Sequence, residues 1–337
     1  MLNIHYLREN AINYEYSVNY SDYRYLVLKL EKMTKYLNLP KPFKGIIPPM
    51  VTPLLDKRTL DKRGLDRLIE HLIEGGVHGL FILGTTGEAT SLSYSLRKEL
   101  IRHTCEKVDG RIPIMVGITD TAPEESLSLA TIAAESKASA VVAAPPYYFG
   151  MSQAELRDYY IVLADKLPLP LYLYNMPSYT KINIEPTTVK ELSEHPRIIG
   201  LKDSSANAVY FNSVLYLMKA DKSFTLLVGP EEMMASAVLM GGHGGVSGGA
   251  NMFPKLYVEL YNAAVARDFD QIIMLQDKIM EISQKIYWVG QTGSSYLKGL
   301  KAALSILGIC NDFMASPLSS FEKEEKEIIK DNLSHLT

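Results

Sequence analysis

Lys202 is the residue of this sequence best placed for covalent chemistry. It directly follows the apolar run 198–201, which has the composition of a buried strand. Removal from water favours the neutral form of a lysine amine, and a neutral amine can attack a ketone to form a Schiff base. The alternative is an ion pair with the neighbouring Asp203 at the rim of the protein. The residue types by themselves leave both interpretations open.

A segment rich in glycine and threonine follows another apolar run. Gly84-Thr85-Thr86-Gly87-Glu88 comes directly after the run 79–83 and precedes a helical pattern. The backbone N–H groups and hydroxyls of such a turn are suited to a carboxylate or a phosphate. The alternative is an ordinary glycine-containing turn that caps the helix.

Tyrosines, acids and glycines stand at the ends of four further runs. Tyr148 follows the run 140–144 and Tyr174 ends the run 170–174, where a tyrosine is either a packed edge residue or an acid–base group. Glu231 and Glu232 follow the run 224–228 and either accept hydrogen bonds from a ligand or open a helix. The glycine-rich segment 241–249 suits a phosphate site or a close approach of the backbone to a substrate.

These residues share a position, because each follows a short apolar run and the runs alternate with segments of helical period. Consecutive apolar residues are typical of parallel strands that helices cover. Eight such runs with a helix after each predict a (β/α)8 TIM barrel, whose working residues lie at the carboxyl ends of the strands. The predicted strands are 45–50, 79–83, 112–117, 140–144, 170–174, 198–201, 224–228 and 244–247, and the predicted helices are 61–74, 93–108, 123–136, 152–166, 185–193, 206–220 and 231–240.

The sequence predicts a chain in three parts. Residues 1–42 are an N-terminal extension of doubtful status, 43–253 are the barrel core, and 254–337 hold the last barrel helix and a C-terminal helical extension. Seven of the 21 tyrosines lie within the first 36 residues. Two explanations of residues 1–32 stay open: a spurious upstream addition to a chain that starts at Met33, or a docking arm.

Composition and residue spacing argue against several classes of function. The 337 residues include 38 acidic and 35 basic side chains, a net charge of −3, which gives no basic surface for nucleic acid or an anionic membrane. No apolar run approaches the roughly 18 residues that span a bilayer. The seven histidines form no HxxxH or HxH pair, which argues against a metal site. Two cysteines far apart are typical of a protein of the reducing cytoplasm.

Four motifs, in their order along the chain, resemble those of a known enzyme superfamily. GTTGE (84–88), PYY (146–148), YNMPSYT (174–180) and GLKD (200–203) are similar to motifs of the pyruvate-dependent Schiff-base aldolases, the superfamily of N-acetylneuraminate lyase and dihydrodipicolinate synthase. The resemblance covers roughly nine-tenths of the chain, from about residue 43, and includes the 28-residue spacing between Tyr174 and Lys202. It implies a metal-independent carbon–carbon lyase that needs no cofactor beyond a covalent lysine imine. It also implies a homodimer or a homotetramer.

The resemblance implies a role for each matching residue. Lys202 forms the Schiff base, Tyr174 is the central proton-transfer residue and Thr85 relays protons. Thr86 and its backbone N–H hold the pyruvyl carboxylate, and Tyr148 completes the relay from a neighbouring subunit. Further substrate contacts are expected from Gly84, Tyr179, Gly229, Glu231, Glu232, Val246 and Ser247.

Departures from the family pattern bear on the substrate. The dihydrodipicolinate synthase branch has an arginine five residues after the motif tyrosine, where this chain has Tyr179, and a phenol offers no charge. Glu231 and Glu232 resemble the acidic pair with which the sialic acid lyase branch binds sugar hydroxyls, although Gly248 stands where that branch has a serine.

We therefore expect a lyase that releases pyruvate and an aldehyde from a 2-oxo sugar acid, such as N-acetylneuraminate or a 2-keto-3-deoxy sugar acid. One alternative is 4-hydroxy-tetrahydrodipicolinate synthase, which condenses pyruvate with aspartate semialdehyde. The other is a dehydratase of keto-deoxy sugar acids that uses the same Schiff base.

Overall fold

The computed structural model describes residues 39–336, which contain a sheet of eight parallel strands. A strand is found at each of the eight predicted runs, so the prediction of strand number and position is confirmed. The strands are β1 Gly45–Ile46, β2 Leu80–Ile82, β3 Ile114–Gly117, β4 Ala140–Ala143, β5 Leu171–Asn175, β6 Ile198–Asp203, β7 Thr225–Val228 and β8 Gly244–Gly245.

The sheet closes on itself to form the predicted barrel. β1 pairs with β8, and each other strand pairs with its neighbours in sequence down to β2. A parallel bridge between Pro49 and Phe81 joins the segment after β1 to β2. There the Met50 N–H donates to the Phe81 carbonyl at 2.8 Å, and the Phe81 N–H donates to the Pro48 carbonyl at 3.0 Å. Closure gathers the carboxyl ends of all eight strands at one mouth of the barrel.

Helices follow the strands, and their first residues carry the expected signals. Ser152 and Glu155 form a capping box at the start of one helix. Pro123 and Pro186 each occupy a first helical turn, where the missing N–H costs nothing. The helices are α1 Lys62–Glu74, α2 Tyr94–Val108, α3 Pro123–Glu135, α4 Gln153–Lys166, the short α5 Pro177–Thr180, α6 Pro186–Leu192, α7 Ala208–Leu217, α8 Met234–Leu239 and α9 Pro254–Ala266.

A C-terminal helical extension follows the last barrel helix, as predicted. It consists of α10 Phe269–Ile282, a π-helical turn Ser283–Tyr287, α11 Ser295–Ile306 and α12 Lys323–Leu336. α11 packs against the π-helical turn and against α12. This extension contributes side chains to the site described below.

Side chains of the strands alternate between two apolar layers. Leu171 and Leu173 of β5 pack outward in the large core between the strands and the helices. Tyr172 and Tyr174 of the same strand point into the barrel, where they join a smaller core with Phe81. This alternation places Tyr174 inside the barrel near its carboxyl end.

The structure corrects several predicted boundaries, and the first is that β1 ends at Ile46 and not at residue 50. β6 continues to Asp203, so Lys202 lies within the strand and not directly after it. The segment 231–240 is a 3-10 turn, Glu231–Met233, followed by α8, and not one continuous helix. β8 ends at Gly245, so Val246 and Ser247 follow the strand.

The expectations for the first 38 residues, including the tyrosine cluster and a start at Met33, lie outside the described residues. The domain boundaries after residues 42 and 253 stay predictions, although α9 does begin at Pro254. Within residues 39–336, no helix is both long enough and apolar enough to cross a membrane.

Candidate active site

Lys202 and Tyr174 lie opposite each other because of an irregularity in strand pairing. The register between β5 and β6 shifts by one residue between Leu171 and Tyr172, and from there it places Tyr174 directly beside Lys202. Neighbouring residues in register share a face of the sheet, so a pairing without the shift would turn Lys202 to the opposite face. Gly200 makes the irregularity possible, since a Cβ there would lie 2.4 Å from the Tyr172 ring.

The Lys202 amine is enclosed by aromatic rings. Its Nζ lies 3.9 Å from the centre of the Tyr174 ring and 5.3 Å from the centre of the Phe81 ring. Lys202 and Tyr174 are each only 5% exposed. The faces of aromatic rings attract a cation, so this enclosure holds the amine in place as well as keeping it from water.

The electrostatic environment favours ionisation of Tyr174. Burial opposes ionisation, but the Lys202 charge and hydrogen bonds with Thr85, Lys202 and Ser204 outweigh it, so the pKa of Tyr174 lies below its ordinary value. Asp203 does not pair with Lys202. Its carboxylate instead accepts hydrogen bonds from the Asn175 amide at 2.9 Å and from the backbone and side chain of Ser205.

The loop with the two threonines begins at a strained residue. Leu83 has a φ of +57°, a left-handed conformation that costs a residue with a side chain about 1–2 kcal/mol. Its carbonyl approaches Gly117 so closely that a Cβ there would lie 2.0 Å away. The loop brings the Thr85 hydroxyl to within 3.1 Å of the Tyr174 hydroxyl, with which it shares a hydrogen bond. The N–H groups of Thr85 and Thr86 have no hydrogen-bond partner within residues 39–336, so they stay available to an anion.

A buried ion pair ties the end of this loop to the C-terminal extension. Glu88 and Lys301 of α11 form the pair, with side chains 2% and 1% exposed. Glu88 also accepts a hydrogen bond of 2.7 Å from the Ala315 N–H, and Lys301 donates one of 2.7 Å to the Phe313 carbonyl. The Glu88 backbone N–H donates to the Thr85 carbonyl at 3.0 Å, which links the ion pair directly to the threonine loop.

A cavity of about 240 Å³ contains most of the predicted site. Of the predicted residues, its walls include Thr85, Thr86, Tyr174, Tyr179, Lys202, Gly229, Glu231, Glu232 and Val246. A second cavity of about 540 Å³ shares Thr85, Tyr174 and Tyr179 with the first and is also lined by Gly84. The shared walls place the two cavities side by side at the mouth of the barrel.

Glu231 and Glu232 are held by side chains of other elements. Glu231 is 5% exposed and accepts hydrogen bonds from the Gly249 N–H at 2.8 Å and from the hydroxyls of Tyr257 and Tyr287 at 2.5 and 2.8 Å. Burial raises the pKa of Glu231 to about 7, against the lowering effect of these hydrogen bonds. The Ser283 hydroxyl donates to Glu232 at 2.9 Å. Much of the capacity that the sequence suggested for sugar hydroxyls is therefore already used within the protein.

Two predicted site residues lie outside both cavities. Tyr148 is 78% exposed and packs edge-on against Phe149, so within one chain it does not reach Tyr174. Ser247 is fully buried and does not line either cavity. Residues alternate in direction along the extended segment after β8, so Val246 and Gly248 face the smaller cavity and Ser247 faces away. Within residues 39–336, no three His, Cys, Asp or Glu side chains are grouped to hold a metal ion.

The structure adds tyrosines of the C-terminal region that the sequence analysis missed. Tyr287 and Tyr296 line the smaller cavity, and the Tyr296 hydroxyl shares a hydrogen bond of 3.2 Å with the Thr86 hydroxyl. One signal was present, because Gly248 stands where a serine was expected. A Cβ at Gly248 would lie 1.7 Å from the Tyr296 hydroxyl, so the phenol occupies the space of that serine.

A buried lysine inside the mouth of a (β/α)8 barrel, facing a tyrosine whose ionisation is favoured, defines a carbon–carbon lyase of the class I, Schiff-base type. Comparison with known proteins assigns the family. The chain matches the model of the dihydrodipicolinate synthetase family over residues 42–336 and belongs to that family.

Some relatives in this family are named synthases and others are named aldolases. The 4-hydroxy-tetrahydrodipicolinate synthase of Methanocaldococcus jannaschii is 32% identical over 295 residues, 87% of this chain and 99% of that protein. The putative 2-dehydro-3-deoxy-D-gluconate aldolase YagE of Escherichia coli is 32% identical over 297 residues, 87% of this chain and 97% of that protein.

Solved structures of this family are also similar to this chain. A dihydrodipicolinate synthase from Bacteroides thetaiotaomicron is 58% identical, with a TM-score of 0.86, and covers 88% of this chain and 99% of its own. YagE in complex with pyruvate is 31% identical, with a TM-score of 0.83, and covers 87% of this chain and 98% of its own.

Proposed function

We propose that this chain is a pyruvate lyase whose covalent chemistry takes place at Lys202. The amine adds to the C2 ketone of a 2-oxo acid and water leaves, which forms a protonated imine. When the C3–C4 bond breaks, its electron pair moves toward the imine, so the pyruvyl fragment remains as an enamine and the other fragment leaves as an aldehyde. Protonation of the enamine at C3 and hydrolysis of the imine release pyruvate and restore the amine. No further cofactor takes part.

Tyr174 is the acid–base group of this proposal. Formation of the aldehyde requires removal of the proton from the C4 hydroxyl. A phenol whose pKa lies below its ordinary value is a better base near neutral pH, and the 3.1 Å hydrogen bond to Thr85 gives the proton a path onward. The observation that carries the proposal is the placement of the Lys202 amine 3.9 Å from the Tyr174 ring, within one cavity that also contains Thr85.

Thr86 and its backbone N–H bind the carboxylate of the 2-oxo acid in this proposal. The free N–H groups of Thr85 and Thr86 support that role, since a carboxylate oxygen accepts strong hydrogen bonds from backbone donors. A carboxylate held there directs C2 toward Lys202, and such positioning supplies much of the rate of a covalent step.

The walls of the cavity favour a 2-oxo sugar acid such as N-acetylneuraminate or a 2-keto-3-deoxy sugar acid. Neither described cavity has an arginine in its walls, and Tyr179 offers a neutral phenol where a second carboxylate would need a cation. Glu232 is only partly occupied by Ser283, so it retains acceptor capacity for a hydroxyl. Gly84, Gly229, Glu231 and Val246 complete this proposed substrate set as wall residues. Ser247, which faces away, keeps its predicted role only if its segment rearranges on binding.

The second candidate is 4-hydroxy-tetrahydrodipicolinate synthase, which would condense pyruvate with aspartate semialdehyde. The observation that favours it is the 58% identity to the Bacteroides protein named dihydrodipicolinate synthase. Both candidates share the imine at Lys202, but the first breaks a carbon–carbon bond and the second forms one to a different aldehyde.

The proposed assembly is a homodimer or a homotetramer, in which Tyr148 of one copy completes the relay of another. Tyr148 is highly exposed on a loop outside both cavities, so only the Tyr148 of a second copy could reach Tyr174. This exposure supports the proposed assembly. We place the enzyme in the cytoplasm, which agrees with two free, buried cysteines, Cys105 and Cys310.

Borohydride trapping tests the common step. The protein is incubated with pyruvate and borohydride, and the reduced adduct is mapped by mass spectrometry. The expected result is an adduct at Lys202 and none in a Lys202→Ala variant. A folded protein without an adduct would refute the Schiff-base mechanism.

Pyruvate release and condensation assays separate the two candidates. Cleavage of N-acetylneuraminate and of keto-deoxy sugar acids is compared with condensation of pyruvate and aspartate semialdehyde, and a dehydration assay covers the third possibility. Condensation without any sugar-acid cleavage would replace the first candidate with the second. A Tyr179→Arg variant should then improve condensation, because it supplies the missing cation.

A further inference from the structure

Tyr296 brings a second hydroxyl to Thr86 from a distant part of the chain. The two hydroxyl oxygens lie 3.2 Å apart and share a hydrogen bond, although 210 positions separate the residues in sequence. Tyr296 lies in the second position of α11, in the C-terminal extension, and outside all four motifs. Both residues line the cavity that contains Lys202.

This pair of hydroxyls has a hydrogen to spare. Each hydroxyl carries one hydrogen, and their mutual bond uses one of the two. Neither oxygen has another hydrogen-bond partner within residues 39–336. The pair therefore offers one further donor at the wall of the cavity, next to the unpartnered N–H groups of Thr85 and Thr86.

The position of the Tyr296 hydroxyl is fixed by its surroundings. Its ring packs edge-on against Tyr287, with 4.8 Å between ring centres and 74° between planes. Gly248 leaves the space for the hydroxyl, since a Cβ there would lie 1.7 Å from the oxygen. Burial and the nearby Glu231 carboxylate raise the pKa of Tyr296, so the phenol keeps its proton and remains a donor.

We propose that Tyr296 is a carboxylate-binding residue, which with Thr86 donates to the carboxylate of the 2-oxo acid and holds its C2 against Lys202. The inference rests on the proposed function, because that function assigns the carboxylate to Thr86. A carboxylate has about four acceptor sites. Two N–H groups and the spare hydroxyl hydrogen would fill three of these sites, whereas the hydroxyls of a sugar tail would compete with one another for a single donor.

Tyr296→Phe tests the proposal, because it keeps the ring on Tyr287 and removes only the oxygen. Adduct formation at Lys202 is measured against the concentration of pyruvate and of methyl pyruvate, whose ester lacks the charged carboxylate. A lost hydrogen bond to a charged group should raise the half-saturating pyruvate concentration about 10- to 100-fold. The value for methyl pyruvate should change less than about threefold, since a neutral acceptor gains much less from the donor.

The matched control is Tyr261→Phe. Tyr261 is a buried tyrosine of α9 that packs on His78, and it lines neither described cavity. This variant should leave both concentrations unchanged. Thermal unfolding of each variant checks that the fold is retained. An equal loss of affinity for pyruvate and its methyl ester, or no change for either, would overturn the proposal.

Two further measurements separate this inference from the proposed function. In a Thr86→Val background, Tyr296→Phe should raise the half-saturating pyruvate concentration by a factor at most about a third as large as in the parent protein. The reason is that the two hydroxyls act as one group. In a Lys202→Ala background, pyruvate binding by titration calorimetry needs no imine, and Tyr296→Phe should still weaken it about 10-fold or more. If Tyr296→Phe weakens pyruvate binding in this background while the parent protein forms no adduct at Lys202, the Schiff-base mechanism is refuted and the carboxylate-binding role of Tyr296 is kept. Unchanged calorimetric binding would refute the role of Tyr296.

Discussion

Lys301→Met removes the cation of the buried Glu88–Lys301 pair while keeping a side chain of similar length. Both partners are at most 2% exposed, so the Glu88 carboxylate would remain buried without a counter-charge. Breaking such a pair from one side costs about 3–5 kcal/mol. The lost hydrogen bond from Lys301 to the Phe313 carbonyl adds about 1 kcal/mol. We expect the free energy of unfolding to fall by about 4–6 kcal/mol.

Equilibrium unfolding in urea, followed by circular dichroism, measures this loss. The double variant Glu88→Gln/Lys301→Met replaces the pair with neutral groups and should recover at least about 2 kcal/mol of the single-variant loss, because no unpaired charge remains buried. The matched control is Lys62→Met, which breaks an exposed pair with Glu99 and should cost less than about 1 kcal/mol.

The same variant should weaken pyruvate binding. The Glu88 N–H donates to the Thr85 carbonyl, so a displaced Glu88 moves the loop that carries both threonines. A loss of stability below about 1 kcal/mol for Lys301→Met, or a double variant that is no more stable than the single one, would refute the assignment of this pair as the anchor of the loop.

Three further predictions concern the cavity itself. Tyr174→Phe should lower turnover about 10²- to 10⁴-fold, because it removes the acid–base group, while the half-saturating pyruvate concentration for adduct formation changes less than about tenfold. Gly248→Ala should weaken pyruvate binding and destabilise the fold by about 1–3 kcal/mol, since its Cβ would lie 1.7 Å from the Tyr296 hydroxyl. Burial raises the pKa of Glu231 from 4.5 to about 7, so the folded state binds this proton more tightly than the unfolded state does. The resulting stability is greatest at low pH and is lost as pH rises through 7, and Glu231→Gln should remove about 2–3 kcal/mol of the stability difference between pH 5 and pH 8.

The matched control for Tyr174→Phe is Tyr172→Phe, at the residue two positions earlier on the same strand. Tyr172→Phe should leave turnover unchanged, so equal activity of the two variants would show that Tyr174 is not the acid–base group. Unchanged pyruvate binding in Gly248→Ala would show that Tyr296 does not need that space. If the parent and Glu231→Gln respond alike to pH in urea unfolding, the raised pKa of Glu231 is contradicted.

Much of the barrel is readable from the sequence because its signals are local. Apolar runs of four to six residues are typical of strands that helices cover, although short buried helix segments have the same pattern, and their number predicts the closed barrel. The residues at the end of each run, or just after it, then mark the mouth, and they include Thr85, Thr86 and Tyr174. Strand ends are less well determined, and Lys202 lies one residue within β6 because its pairing with β5 continues past the apolar run.

The partners of these residues could not be found in the same way. Nothing near Glu231 in the sequence indicates that Tyr257 and Tyr287 will donate to it, since they lie 26 and 56 positions away and meet it only after α9 and the π-helical turn have packed. The glutamate pair therefore looked free for a ligand. In the folded protein the Glu231 carboxylate already accepts hydrogen bonds from these tyrosines, because a buried carboxylate is stable only when donors of the protein satisfy it.

The residue types at the barrel mouth follow from the order of residues along the chain, because the last residues of a parallel strand lie there whichever strands are its neighbours. Which of these residues face one another depends on how the strands and helices pack. The one-residue shift between β5 and β6 places Lys202 beside Tyr174, and the space at Gly248 admits Tyr296 to Thr86. Strand register and the packing of a distant helix depend on contacts across the whole fold, and a change of one residue or one Cβ is enough to break either arrangement.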